Sequence, residues 1–92
     1  MKYPYICKMS RLNKVFDKIL AAKSDNNIKF KDLCALLNKI GFESRVKGSH
    51  HIFYKQGLDD IINIQELDGH SKAYQVKQIR EIILKYKLEI QK

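Results

Sequence analysis

The sequence predicts an α+β domain, a three-stranded antiparallel sheet with helices before and after it. Three observations carry that expectation. Apolar residues recur at helical spacing in two stretches ahead of Gly41 and in one after Ala73. Between Glu43 and Glu66 the chain turns to short segments rich in β-branched and aromatic residues, separated by glycine-containing turns. The chain has 92 residues, 45% of them hydrophobic, with one proline; this suits a single folded domain with no room for a second core.

The first helix is expected over about 11–23. Leu12, Val15, Phe16, Ile19 and Leu20 fall on one apolar stripe, and Ser10 can cap its start. Ser24-Asp25-Asn26-Asn27 then breaks it, because short polar side chains compete for backbone hydrogen bonds. A second helix runs from about Lys31 to Ile40, with Leu33, Leu36, Leu37 and Ile40 on its apolar face and Cys34 at the border. Gly41 sits where a left-handed cap is wanted, and Phe42 can fold back on the last turn. Glu43–Lys47 and His50–Lys55 read as strands joined by a tight turn at Gly48-Ser49. After a turn at Gln56–Asp59 comes a third strand, Asp60–Glu66, then a loop at Leu67–Lys72. The last helix is expected from about Tyr74 to Leu88, with Val76, Ile79, Ile83 and Tyr86 inward and Glu81 able to pair with Lys77 or Lys85. An α-β-β-β-α unit is the layout of a double-stranded-RNA-binding-like domain, here with an extra N-terminal helix.

Charge narrows the partner. The formal net charge is +8, and residues 1–47 hold 11 basic and 4 acidic groups, so the excess lies in the first half. A small basic domain favours a polyanionic partner, either nucleic acid or an acidic protein. No apolar run approaches a membrane span, and Met1–Lys8 lacks the apolar centre of a secretory signal, so the expectation is a cytoplasmic protein. Cys7 and Cys34 form no metal-ligand pattern with His50, His51 or His70, and read as one surface and one core thiol. No phosphate-cradling glycine motif is present, so no nucleotide cofactor is expected, and without a ligand pattern no metal is expected either.

Gly48-Ser49-His50-His51 stands out. Two adjacent histidines opening a strand face opposite sides of the sheet, so one meets solvent or a cleft while the other packs against a neighbour. Imidazole titrates near ~6.5 and can move a proton at neutral pH; one such group could activate a ribose 2′-hydroxyl. Equally, the motif could be a turn followed by two ordinary strand histidines. Arg45, Lys47 and Lys55 could meet phosphate and Tyr54 could stack on a base, or Phe53 or Tyr54 could be core and the lysines solvated surface. His70 reads as an exposed loop histidine, and Asp59-Asp60 as turn residues.

Lys31–Lys87 resembles the HicA family, the RNA-cleaving toxins of bacterial and archaeal HicAB toxin–antitoxin pairs. The resemblance rests on Leu36-Leu37-Asn38-Lys39-Ile40-Gly41-Phe42, then Arg45-Val46-Lys47-Gly48-Ser49-His50-His51-Ile52-Phe53, and on a closing helix from Tyr74 to Tyr86. A longer subgroup with an N-terminal helix fits Ser10–Lys23. The resemblance implies an N-terminal extension over 1–28 and an RNA-cleaving domain over 29–92. It implies that His50 is catalytic, that Gly48 and Ser49 form the turn presenting it, that cleavage of messenger RNA needs no metal, and that a HicB antitoxin blocks the site. Arg45, Lys47, His51, Tyr54 and Lys55 are the candidate RNA-binding residues, and the second proton-transfer role stays open among His51, Tyr54 and water. Many members carry Pro-x-His after the third strand where this chain reads Glu66-Leu67-Asp68-Gly69-His70, so no role passes to His70. The competing readings are a non-catalytic RNA-binding module of the same fold and a basic protein-interaction domain.

Overall fold

Along His50–Tyr54 and Ile62–Gln65 the side chains alternate, and that alternation decides which way the sheet faces. The computed structural model describes residues 11–91; the expected Ser10 cap and Cys7 thiol lie outside the described residues. In order come α1 (Arg11–Ala21), a 3-10 turn (Asp25–Asn27), α2 (Phe30–Ile40), β1 (Glu43–Lys47), β2 (His50–Tyr54), β3 (Ile62–Gln65) and α3 (Ala73–Tyr86). The strands form the expected antiparallel meander, ordered β1-β2-β3. Phe53 pairs with Ile62 and His51 with Ile64. Phe53, Ile62 and Ile64 are buried in the core that the helices cover. His50, Ile52, Tyr54, Asn63 and Gln65 therefore turn to the uncovered face.

The helices dock through the stripes their spacing predicts. Val15 and Ile19 of α1, and Leu33, Leu36, Leu37 and Ile40 of α2, join one core with Val76, Ile79 and Ile83 of α3. Burial of a side chain this size is worth about 1.5–3 kcal/mol, so α1 is held by more than its own propensity. Arg80 of α3 adds a clamp: Nη1 donates to the Ile19 carbonyl at 3.1 Å and to Asp25 Oδ1 at 2.9 Å. Gly41 ends α2 at φ 118°, its N–H shared between the Leu37 and Asn38 carbonyls, while the Phe42 N–H donates to Leu37 and its ring is buried. α3 stops at Tyr86, earlier than the periodicity suggests, because Lys87 takes φ 54°. Leu88 and Ile90 beyond it still pack on the core.

Some local expectations change. Lys85 does not serve Glu81; its Nζ donates to Asp60 Oδ2 at 3.1 Å, a tertiary partner displacing a helical one. That contact holds the Asp60 carboxyl below its ordinary range, and β3 begins only at Ile62, with Ile61 exposed. Within the expected loop, Asp68 (φ 51°) and Gly69 (φ 80°) form a tight turn in which Leu67 and His70 exchange backbone bonds of 2.9 Å. The Phe30 N–H donates to the Gly69 carbonyl and the Ser71 N–H to the Ile28 carbonyl, so this turn is stitched to the start of α2. Gln75, on which the sequence raised no expectation, is a polar residue inside the core at 2% exposure. With its amide nitrogen towards the Gln65 carbonyl (3.3 Å) and its oxygen towards the Gln65 N–H (3.1 Å), it closes the outer edge of β3.

Candidate active site on the open sheet face

The hairpin turn sets the site. Gly48 has φ 63° and is the one turn residue with positive φ, which matches a II′ turn and selects glycine at that position. A Cβ there would meet nothing within 4 Å, so backbone conformation alone demands the glycine. Ser49 Oγ accepts a hydrogen bond from Gln65 Nε2 at 3.0 Å, tying the turn to β3.

His50 opens β2 on the exposed face. Its Nδ1 lies 3.0 Å from Asn63 Oδ1. An amide oxygen only accepts, so Nδ1 carries the proton and, in the neutral ring, Nε2 holds the lone pair. Lys47 stands directly opposite His50 in the β1–β2 register, and Arg45, opposite Ile52, shares the same face two residues along. Lys47, Gly48, His50, Ile52 and Asn63 line a shallow hollow whose floor is Ile52. Tyr54 lies farther along β2 on this face, partly exposed. A base with its acceptor nitrogen free, a primary ammonium opposite and an apolar floor can receive a phosphodiester and one neighbouring base.

The sequence candidates divide between two sides of the sheet. Arg45, Lys47, His50 and Tyr54 gather on the open face, with Gly48 and Ser49 as the turn. His51 points to the helical side, its ring edge-on to Phe30 at 4.9 Å between centroids, and its Nδ1 buried without a hydrogen-bond partner. Lys55 is half-buried, with Nζ only 2.8 Å from where a Cβ on Gly41 would sit. It belongs to the end of α2 rather than to the hollow. His70 is exposed, and its Nδ1 meets the Asp68 carbonyl at 3.1 Å, bracing its own turn. Asn63 and Gln65 were not singled out in the sequence. Alternation with Ile62 and Ile64 puts them on the open face, but polar residues on the wet side of a strand carry no special signal. Among the described residues, no group of three or more His, Cys, Asp or Glu side chains could hold a metal ion, and no helix is long and apolar enough to cross a membrane.

A family model described as HicA toxin of bacterial toxin-antitoxin matches residues 30–86. No curated protein and no solved structure gives a match. The matched span runs from the first residue of α2 to the last of α3, more than half of the chain, and takes in the whole sheet with its Gly48-Ser49-His50 turn. On that ground the chain belongs to the HicA family, the toxin side of bacterial toxin–antitoxin systems.

Proposed function

We propose that this toxin is an endoribonuclease that cleaves messenger RNA in the cytoplasm without a metal ion, with His50 as the proton-transfer residue. The observation that carries this reading is His50 itself: exposed at the start of a strand, Nδ1 engaged by Asn63, and opposite the Lys47 ammonium. In the proposed step His50 Nε2 takes the proton of a ribose 2′-hydroxyl. The oxygen attacks the adjacent phosphorus, the P–O5′ bond breaks, and the leaving oxygen takes a proton from water. A 2′,3′-cyclic phosphate and a free 5′-hydroxyl result. Lys47, with Arg45 beside it, balances the charge that builds on the phosphate oxygens. Tyr54 offers a ring on which an unpaired base can stack. His51 and Lys55 stand outside this surface and take no part.

Restraint comes from a partner in this reading. A HicB-like antitoxin covers the Gly48–Tyr54 surface with acidic and apolar groups, in competition with RNA, and the basic face steers its approach.

Induction of wild type beside His50→Ala, with growth and total messenger RNA followed over time, tests the proposal. General acid–base catalysis is typically worth ~10²–10⁴-fold, so the variant should be harmless and should leave transcripts intact. The site is exposed, so the variant should fold as wild type does. A folded His50→Ala protein that cleaves at the wild-type rate overturns the assignment.

A further inference from the structure

We infer that Asn63 is a positioning residue for His50, whose side-chain oxygen fixes the imidazole in its Nδ1–H form and so presents Nε2 as the proton acceptor. The inference rests on the proposed role of His50. A neutral imidazole has two tautomers, and the one present is set by the bond its other nitrogen makes. A ring that must accept a proton at Nε2 is useless while Nε2 carries one.

The register explains how Asn63 reaches the ring. It pairs with Ile52, one step diagonal from the His50–Gln65 pair, a separation that side chains span on one sheet face. Its Oδ1 ends 3.0 Å from His50 Nδ1. Gln65, directly opposite His50, bonds Ser49 instead and fixes the turn from which the ring projects. Asn63 has no packing reason to be where it is. It is exposed between two buried isoleucines, in a strand, where asparagine is disfavoured.

The chemistry favours a neutral partner. When Nε2 takes a proton, the Nδ1–H to Asn63 bond persists, so the ring does not turn during the step. A carboxylate in that place would draw the ring towards its charged form. Among the described residues, the charged groups that the strands put on this face are Lys47 opposite His50, Arg45 beyond it and Glu43 at the far end opposite Tyr54; from β3 the neutral amides of Asn63 and Gln65 face the ring.

The test uses the purified chain with labelled histidine nitrogens and an RNA oligonucleotide. In wild type the ring-nitrogen spectrum of His50 should report the Nδ1–H form. Asn63→Leu, similar in shape but without an acceptor, should lose that fixed form. Its kcat should fall about 10- to 100-fold, the range known for groups that orient a metal-bound histidine through its other nitrogen, with KM and thermal melting near wild type. Asn63→Asp should restore the Nδ1–H signal and move the acidic limb of the rate profile to higher pH. If Asn63→Leu keeps the Nδ1–H form, or loses it with no change in kcat, the inference is overturned. His50→Ala in the same assay separates the two claims. An inactive His50→Ala beside a fully active Asn63→Leu removes only the role of Asn63, whereas an active, folded His50→Ala removes the parent reading and this one with it.

Discussion

Cys34 borders the α2 stripe, and burial, with a further push from the Glu66 carboxylate, raises its thiol to about 11. At pH 8 its thiolate fraction is then on the order of a hundredfold below that of a free thiol near ~8.5. The more basic thiolate is the better nucleophile and regains about tenfold. Alkylation at Cys34 should therefore run roughly tenfold slower than in a model peptide and keep rising with pH to about 11. Mass spectrometry of the Cys34 peptide across pH 7–11 reads this directly, and a rate that levels off near pH 9 contradicts it. At this scale the sequence exposed part of the site. The Gly48-Ser49-His50-His51 motif stood out because a Gly-Ser turn before a strand start is a local pattern. The choice of His50 within it came from the family resemblance, and the opposite facing of the two histidines followed from strand alternation. Lys55 was not placed correctly by proximity in sequence, since one residue past the strand carried it to the end of α2. Asn63 was hidden because its partner lies 13 residues away, and only the register of β2 on β3 brings them together.

The elements show where packing overrides pattern. α1, α2 and the meander were legible because each carries one unbroken periodicity and, for α2, a glycine cap. The Asp68-Gly69 turn carried a hairpin signal of its own, yet its use depends on Phe30 and Ser71, which bond it to the chain entering α2. The Lys85–Asp60 and Arg80–Asp25 pairs are likewise tertiary, so charge spacing along α3 could not reveal them. The Arg80 clamp has a measurable worth. Its side chain is only 14% exposed and Asp25 only 23%, and hydrogen bonds to charged groups contribute about 1.5–3 kcal/mol. Arg80→Met, which keeps the aliphatic stem, should lower stability by about 2 kcal/mol in urea denaturation, with α1 losing amide-exchange protection first. Arg80→Met with wild-type stability would mean that α1 is held by its apolar packing and its other polar contacts without the clamp.

For the whole molecule, the basic excess of residues 1–47 meets the open sheet face through Arg45 and Lys47. Contacts of this kind release counterions from RNA, with a slope near −0.7 per phosphate on a single strand. Two contacts give a slope of about −1.4, so raising salt from ~50 to ~200 mM should weaken RNA binding about sevenfold. Lys47→Ala should reduce that slope by about half and weaken binding to all sequences alike; fluorescence anisotropy with a labelled oligonucleotide gives both values. Binding that ignores salt would point instead to a protein partner for this face. The division of labour across the sheet also bears on synthesis. Every group proposed to touch the scissile phosphate lies between Arg45 and Asn63, so these residues leave the ribosome before α3 does. A three-stranded sheet needs its apolar face covered to be stable, and this one lies on a core that Val76, Ile79 and Ile83 of α3 complete together with α1 and α2, with Gln75 closing its edge. In the proposed reading, a nascent chain that has emerged only as far as β3 carries the candidate groups without the helix that completes their support, so cutting of the message being translated should wait until α3 docks.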